Sequence, residues 1–236
     1  HDLAHLNDVF ELIAASNWHA LATFVGRYVP NGLALLIDIG STTTDIIPLL
    51  NGTPQPSQQT DYGRLKSGEL VYQGVRRTPV MAVLPTQLAA EYFADMHDVY
   101  LILNDILEDP FNLESADERP RTIEFARSRL ARMLCSDMEH CTLDEINLLA
   151  KHAKEAQCDR LLEAIERVLN QQDDHQALDS ILISGSGEFL GSYIAEIVKQ
   201  KYQQLHLFKL SELLSPTLSE CAPAYALARL AYEQCL

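Results

Sequence analysis

Apolar residues at Leu3, Leu6, Val9, Phe10, Ile13 and Ala14 recur at helical spacing, so the chain is expected to open on a helix. That helix should end near Ser16-Asn17-Trp18, and a second short helical piece follows it before Phe24. The continuous apolar run from Leu33 to Ile37 ends in Asp38 and has turn signals on both sides, the form of a strand buried on both faces. Beyond Gly40-Ser41-Thr42-Thr43-Thr44, a second run from Asp45 to Leu50 closes at Asn51-Gly52. Together they predict a β-hairpin with a polar tip. Residues 53–60 are rich in Pro, Gln, Ser and Thr and read as a mobile loop, and short strands and turns are expected from Gly63 to Pro79.

Helical patterns cover Thr86 to His97, Arg121 to Cys135 and Thr142 to Asn170, with a strand expected at Val99 to Leu103. The Thr142-Leu-Asp-Glu145 tetrad has the form of a capping box, which marks a helix start. A second apolar strand, Leu178 to Ile183, runs through Ser184-Gly185-Ser186-Gly187-Glu188 into a helix from about Leu190 to Gln203. Strand, glycine turn and helix form an α/β unit. A strand at Leu207 to Leu210 and an Ala-rich helix from Pro223 to Glu233 complete the pattern.

Composition narrows the function. The chain has 236 residues and a formal charge of −15, with 47% hydrophobic and 22% charged residues. Such a balance can bury a core. The acidic field argues against nucleic acid and against anionic membranes, and no apolar run approaches the ~20 residues that cross a bilayer. Five scattered cysteines, at 135, 141, 158, 221 and 235, do not form a disulfide framework, which suits a reducing cytoplasm. Cys135, His140 and Cys141 lack the spacing of a zinc site.

Asp38-Ile-Gly-Ser-Thr-Thr-Thr-Asp45 carries the strongest chemistry. Gly40 lets backbone approach an anion, Ser41, Thr42, Thr43 and Thr44 can donate to phosphate oxygens, and Asp38 and Asp45 flank the turn where a hard cation such as Mg²⁺ can sit. At the second strand end, Gly185, Ser186 and Gly187 precede a helix whose N–H groups can face a phosphate or nucleoside.

Glycine-led polar tips on two strands resemble the second phosphate loop and the adenosine loop of the actin-like, sugar-kinase and Hsp70 ATPase superfamily. The resemblance implies an α/β fold in which a ribonuclease-H-like lobe has a mixed sheet flanked by helices. In that superfamily a first phosphate loop lies near the N-terminus, and none precedes Leu33 here. A first lobe of ~100 residues is therefore expected to be absent from the chain. Residues 1–30 would be its helical tail, and residues 31–236 the lobe present, with a helical insertion at about 86–175.

A narrower resemblance rests on several tracts: Ser16-Asn17-Trp18, Ile37 to Pro48, Gly68-Glu-Leu-Val-Tyr-Gln-Gly-Val-Arg-Arg-Thr-Pro79, Ala116-Asp-Glu-Arg-Pro120, Arg129 to Asp137 and Gly185-Ser-Gly-Glu188. These look like the hydantoinase/oxoprolinase-like family tied to tetrahydromethanopterin-linked one-carbon transfer, whose archaeal members are methanofuran-biosynthesis enzymes. The implied activity is a transferase that joins an aminomethyl-furanmethanol diphosphate to a tyramine- or tyrosine-derived phenol and releases pyrophosphate. Its implied partners are these small molecules, with a homodimer left open.

Displacing diphosphate requires stabilisation of developing negative charge, and arginine forks suit phosphate oxygens. Eight of the twelve arginines lie between Arg64 and Arg132, where nine Lys and Arg face eleven Asp and Glu. Arg76 and Arg77 are the expected clamp on the leaving group, with Arg129 and Arg132, one helical turn apart, as further anion candidates. Glu69 and Tyr72 are candidates for orienting the phenol or amine. Two other readings remain. One is an ATP-dependent kinase or hydantoinase-type enzyme using the same loops for ATP, and the other is a non-catalytic lobe.

Overall fold

The computed structural model describes residues 17–84, 88–172, 177–202 and 204–235. They divide into two compact units, one drawn from the described residues up to Tyr72 and from Leu162 onward, and the other from those within Gln73–Leu161. The helix expected over Leu3 to Ala14 lies outside the described residues.

The first unit is built on one mixed sheet. Strands β1 (Leu33–Ile39) and β2 (Thr44–Leu50) pair antiparallel along their whole length. Short β3 (Thr53–Pro54) and β4 (Leu70–Val71) flank β2, while β5 (Leu178–Ser184) and β6 (His206–Lys209) add in parallel on the other side of β1. The order β3-β2-β1-β5-β6, with only the second strand reversed along the row, is that of a ribonuclease-H-like sheet. The expected fold class is the observed one.

All seven residues of β1 are buried. Since side chains alternate along a strand, Ala34, Leu36 and Asp38 share one face, and Leu35, Ile37 and Ile39 the other. The first face joins a core with Ile47, Leu49 and Leu182, covered by α1 (Asn17–Val25) and a C-terminal helix, Ala222–Gln234. Trp18, Leu21 and Val25 of α1 belong to that core. Residues 17–25 thus pack within the sheet unit.

The sheet's second face is covered by a helix at Glu188–Lys199 that follows β5. Between β3 and β4, where strands and turns were expected, lies helix α2 (Asp61–Ser67). The Thr60 hydroxyl caps it by accepting from Gly63 N at 3.2 Å, and Gly68 at φ 92° ends it.

The second unit comprises Gln73–Leu161. Its α3 (Val80–Val83), α4 (Met96–Ile102) and α5 (Ile123–Met133) are followed by α6 (Leu143–Leu169), whose last turns re-enter the first unit. Thr142 and Glu145 form the expected capping box at the start of α6. Residues 85–87 are not described and 88–95 are irregular, so no helix spans the described part of Thr86 to His97. The strand expected at Val99 to Leu103 is instead α4. Asp95 and Asp98 cap its start reciprocally, and all seven of its residues are buried; its polar residues, His97 and Asp98, stand together at the start and leave Val99 to Ile102 an unbroken apolar run with no helical period. Among the described residues no helix is long and apolar enough to cross a membrane.

Candidate functional site

The β1–β2 connection places the acidic tract in one corner of the first unit. Ile39 and Thr44 form the last pair of the ladder, and Gly40 N donates to Thr43 O at 2.9 Å to close the tip. Asp38 stands directly opposite Asp45, so the two carboxylates lie on the same face of the sheet. Ser184, paired with Asp38 across β1 and β5, donates its hydroxyl to Asp38 Oδ1 at 2.6 Å.

Asp38 is 6% exposed. Burial, reinforced by the neighbouring Asp45 charge, pushes its carboxyl up to about 7 despite the Ser184 hydrogen bond. Asp45 is also raised by burial, with Arg64 opposing the shift. The Arg64 guanidinium donates to Asp45 Oδ1 at 2.5 Å and to Glu69 O at 3.1 Å. It lies 3.9 Å above the Trp18 ring.

Ser41, Thr42 and Thr43 are half-buried at the tip, and the Ser41 and Thr42 hydroxyls sit 3.3 Å apart. Gly40 has no left-handed backbone, and a Cβ there would meet only Thr43 O, at 3.4 Å. Neither conformation nor packing requires glycine at this position. Thr44 departs from expectation, because it is already inside β2, wholly buried and opposite Ile39. Its side chain faces away from the two aspartates.

Gly185 does need to be glycine. At φ +90° it presses against the end of β1, where a Cβ would fall 2.3 Å from Ile39 O and 2.9 Å from Asp38 Oδ1. The amides expected to face a phosphate are occupied within the protein. Gly185 N donates to Ser219 O at 3.1 Å and Gly187 N to Ile39 O at 2.9 Å. Glu188 accepts from Ser211 N at 2.9 Å and from the Ser219 hydroxyl, tying the turn to the next helices. Ser186 is half-buried between the two glycines. The turn therefore braces the Asp38 corner, and its two glycine amides are not phosphate donors.

The remaining candidates scatter. Glu69 is 1% exposed and accepts from Ser57 N, Gln58 N at 3.1 Å and the Ser67 hydroxyl at 2.9 Å, so it anchors the 57–58 loop and does not face a ligand. Tyr72 is 68% exposed just beyond β4. Arg76 and Arg77 are exposed and belong to the second unit. Arg129 is fully buried in that unit, bonded to Asp98 at 2.6 and 3.0 Å and to Asp117 at 2.9 Å. Arg121 joins the same network through Asp95 and Asp98, and Arg132 reaches Asp117 at 3.2 Å. Burial raises Asp98 to about 6 even with these partners. Arg129 is a core ion-pair residue, because its donors are already committed to buried carboxylates.

Three contributors to the Asp38 corner were not foreseen as site residues: Ser184, Arg64 and Trp18. Ser184 carries no spacing signal, and its role depends on the β1–β5 register. Arg64 and Trp18 are 46 positions apart in the chain and meet only through the packing of α1 and α2.

Two relatives are both named (4-{4-[2-(gamma-L-glutamylamino)ethyl]phenoxymethyl}furan-2-yl)methanamine synthase. The protein of Methanocaldococcus jannaschii is 33% identical over 230 residues, a match covering 94% of this chain and 66% of the relative. That of Methanococcus vannielii is 30% identical over 217 residues, covering 88% of this chain and 94% of the relative. The chain thus spans just under two thirds of the first relative's length and nearly all of the second's. Among solved structures it is similar to the archaeal actin homologue Ta0583, with TM-score 0.46, 15% identity, and 91% of this chain and 54% of that one covered. It is also similar to component A of the (R)-2-hydroxyglutaryl-CoA dehydratase of Acidaminococcus fermentans, with TM-score 0.41, 14% identity, and coverage of 91% and 67%. The sequence pattern of hydantoinase/oxoprolinase proteins matches residues 3–234, and on that match the chain belongs to the hydantoinase/oxoprolinase family.

Proposed function

We propose that the protein is the ether-forming transferase for which its two relatives are named, acting on a furan-methanol diphosphate and a phenol. The observation that carries this reading is the pairing of buried Asp38 with half-buried Asp45 beside a hydroxyl-rich tip. Two carboxylates held together at the cost of mutual repulsion are characteristic of a site tuned for a charged ligand. A glycine at position 40 that the backbone does not require leaves the tip open to a diphosphate.

The donor set fits a magnesium ion. Among the described residues no group of three or more His, Cys, Asp and Glu could hold a metal. Magnesium is commonly held by one or two carboxylates, with water and substrate phosphate oxygens completing its shell. Asp38 and Asp45 would hold it, each with one oxygen already oriented, by Ser184 and by Arg64. When bound, the ion supplies positive charge toward the leaving diphosphate. Ser41, Thr42 and Thr43 donate to phosphate oxygens at the tip and hold the ester in line. The phenol oxygen bonds to the furfuryl carbon as the carbon–oxygen bond to diphosphate breaks, and the phenolic proton is released. The hydroxyl donors gain strength as charge accumulates on the departing group, which is where they lower the barrier.

The remaining parts of the proposal are a cytoplasmic location, supported by five free cysteines, and action as a homodimer, which sedimentation checks. The test of function is direct. The chain is incubated with the aminomethyl-furanmethanol diphosphate, γ-glutamyl-tyramine and Mg²⁺, and pyrophosphate and ether are measured. Release of both, lost in Asp38→Asn, is the expected result. No product, together with tight binding of ATP or ADP, would replace this reading with the ATP-dependent one.

A further inference from the structure

Arg64 is placed unusually for an arginine. It is 1% exposed, and its Nε is buried without a partner, as is Nε1 of the Trp18 indole beneath it. A buried guanidinium with an unmet N–H costs stability unless its position returns something. Each contact it does make fixes orientation. The Trp18 ring stacks on it at 3.9 Å, Asp61 lies 3.5 Å from Nη1, and Nη2 bridges Asp45 Oδ1 and Glu69 O. The Glu69 carbonyl also accepts Ile46 N at 2.8 Å, so the arginine is locked to the β2–β4 register that sets Asp45. Glu69's own carboxylate is held by Ser57, Gln58 and Ser67, which prevents it from competing for the guanidinium.

We propose that Arg64, clamped on Trp18, is the positioning residue that aims the Asp45 carboxylate at the ligand. We further propose that Trp18 senses through this stack what binds at the Asp38–Asp45 pair. The proposal deepens the reading given above and rests on it for the identity of the reaction. Trp18 is the chain's single tryptophan, so its emission reports this place alone. An occupant that draws on Asp45 changes the pull on Arg64, and with it the contact between guanidinium and indole.

The experiment uses the full chain and the variants Arg64→Lys, Arg64→Met and Trp18→Phe. Tryptophan emission is titrated with Mg²⁺ plus pyrophosphate, and kcat and KM are measured for pyrophosphate release. The expected results are a saturable emission change in the unaltered chain and none in Arg64→Met. For catalysis, kcat should fall about 100-fold in Arg64→Met, with KM for the phenol nearly unchanged and about tenfold recovered in Arg64→Lys. Trp18→Phe keeps a ring under the guanidinium and should lose only a few-fold in kcat, which tests the clamp even if Arg64→Met folds poorly. A folded Arg64→Met with kcat within threefold of the unaltered chain overturns the positioning role while leaving the reaction standing. An emission response without any turnover would sink the reaction and keep the clamp, and an indifferent emission would overturn the sensing role.

Discussion

Asp38 and Asp45 face each other across the β1–β2 ladder, and only Asp45 has an arginine beside it. Asp38 is left with a hydroxyl, which orients a carboxylate without neutralising it. Burial first, and then the Asp45 charge, push Asp38 to about 7 with no cation beside it to offset them, which makes the corner a place where stability has been given up for charge.

The metal-free chain should become less stable as pH rises from about 4 to about 7. In that window the folded chain keeps a proton on Asp38 that the unfolded chain, with an ordinary value of 3.8, has released. Above pH 7 the effect is flat. Asp38→Asn removes this slope and stabilises the chain at pH 8 by on the order of 4 kcal/mol at most. Melting temperature against pH for both proteins checks it, and a variant less stable than the parent at pH 8 would refute it.

Added Mg²⁺ should raise the melting temperature at pH 8 and do little at pH 5, where Asp38 is protonated. A millimolar excess a hundredfold over the dissociation constant corresponds to about 2.7 kcal/mol. Asp38→Asn should abolish the response. An equal rise in the variant would place the ion elsewhere.

Gly185→Ala should destabilise the fold by at least ~2 kcal/mol, since it combines a left-handed backbone with a carbon forced into the Ile39 carbonyl. Gly40→Ala, which meets ordinary contact only, should change stability by no more than ~0.5 kcal/mol while weakening pyrophosphate binding. Urea unfolding and titration calorimetry separate the two effects.

Arg129→Met should cost about 3–5 kcal/mol by leaving Asp98 buried without its main partner. Arg132→Ala, half-exposed and one of several partners of Asp117, should cost under ~1 kcal/mol. Equal effects would mean that the buried network does not carry the stability of the second unit.

Much of the hairpin was legible because β1 and its tip advertise themselves locally, with an apolar run broken only by Asp38, then a glycine and four hydroxyl residues, then Asp45. The long helix α6 was legible through its capping box. Helix α4 was not, because its polar residues His97 and Asp98 stand together at its start and leave an unbroken apolar run behind them, in which Val99, Tyr100 and Ile102 favour strands by themselves. Arginine counting could not foresee the ion pairs of Arg129 with Asp98 and Asp117, since a local clustering of arginines along the chain does not distinguish a ligand clamp from an internal ion pair.

By itself the sequence determined that the chain is an α/β protein with an acid-flanked, hydroxylated hairpin and a family identity to match, because these depend on neighbours within about ten residues. The tertiary structure alone decided which acid is compensated. Asp38 receives its hydroxyl from β5, 146 positions along, and Asp45 receives its cation from α2, held by a tryptophan on α1. The physical reason is that a carboxylate's charge state follows from what burial and packing bring within a few ångströms, which spacing along the chain does not encode.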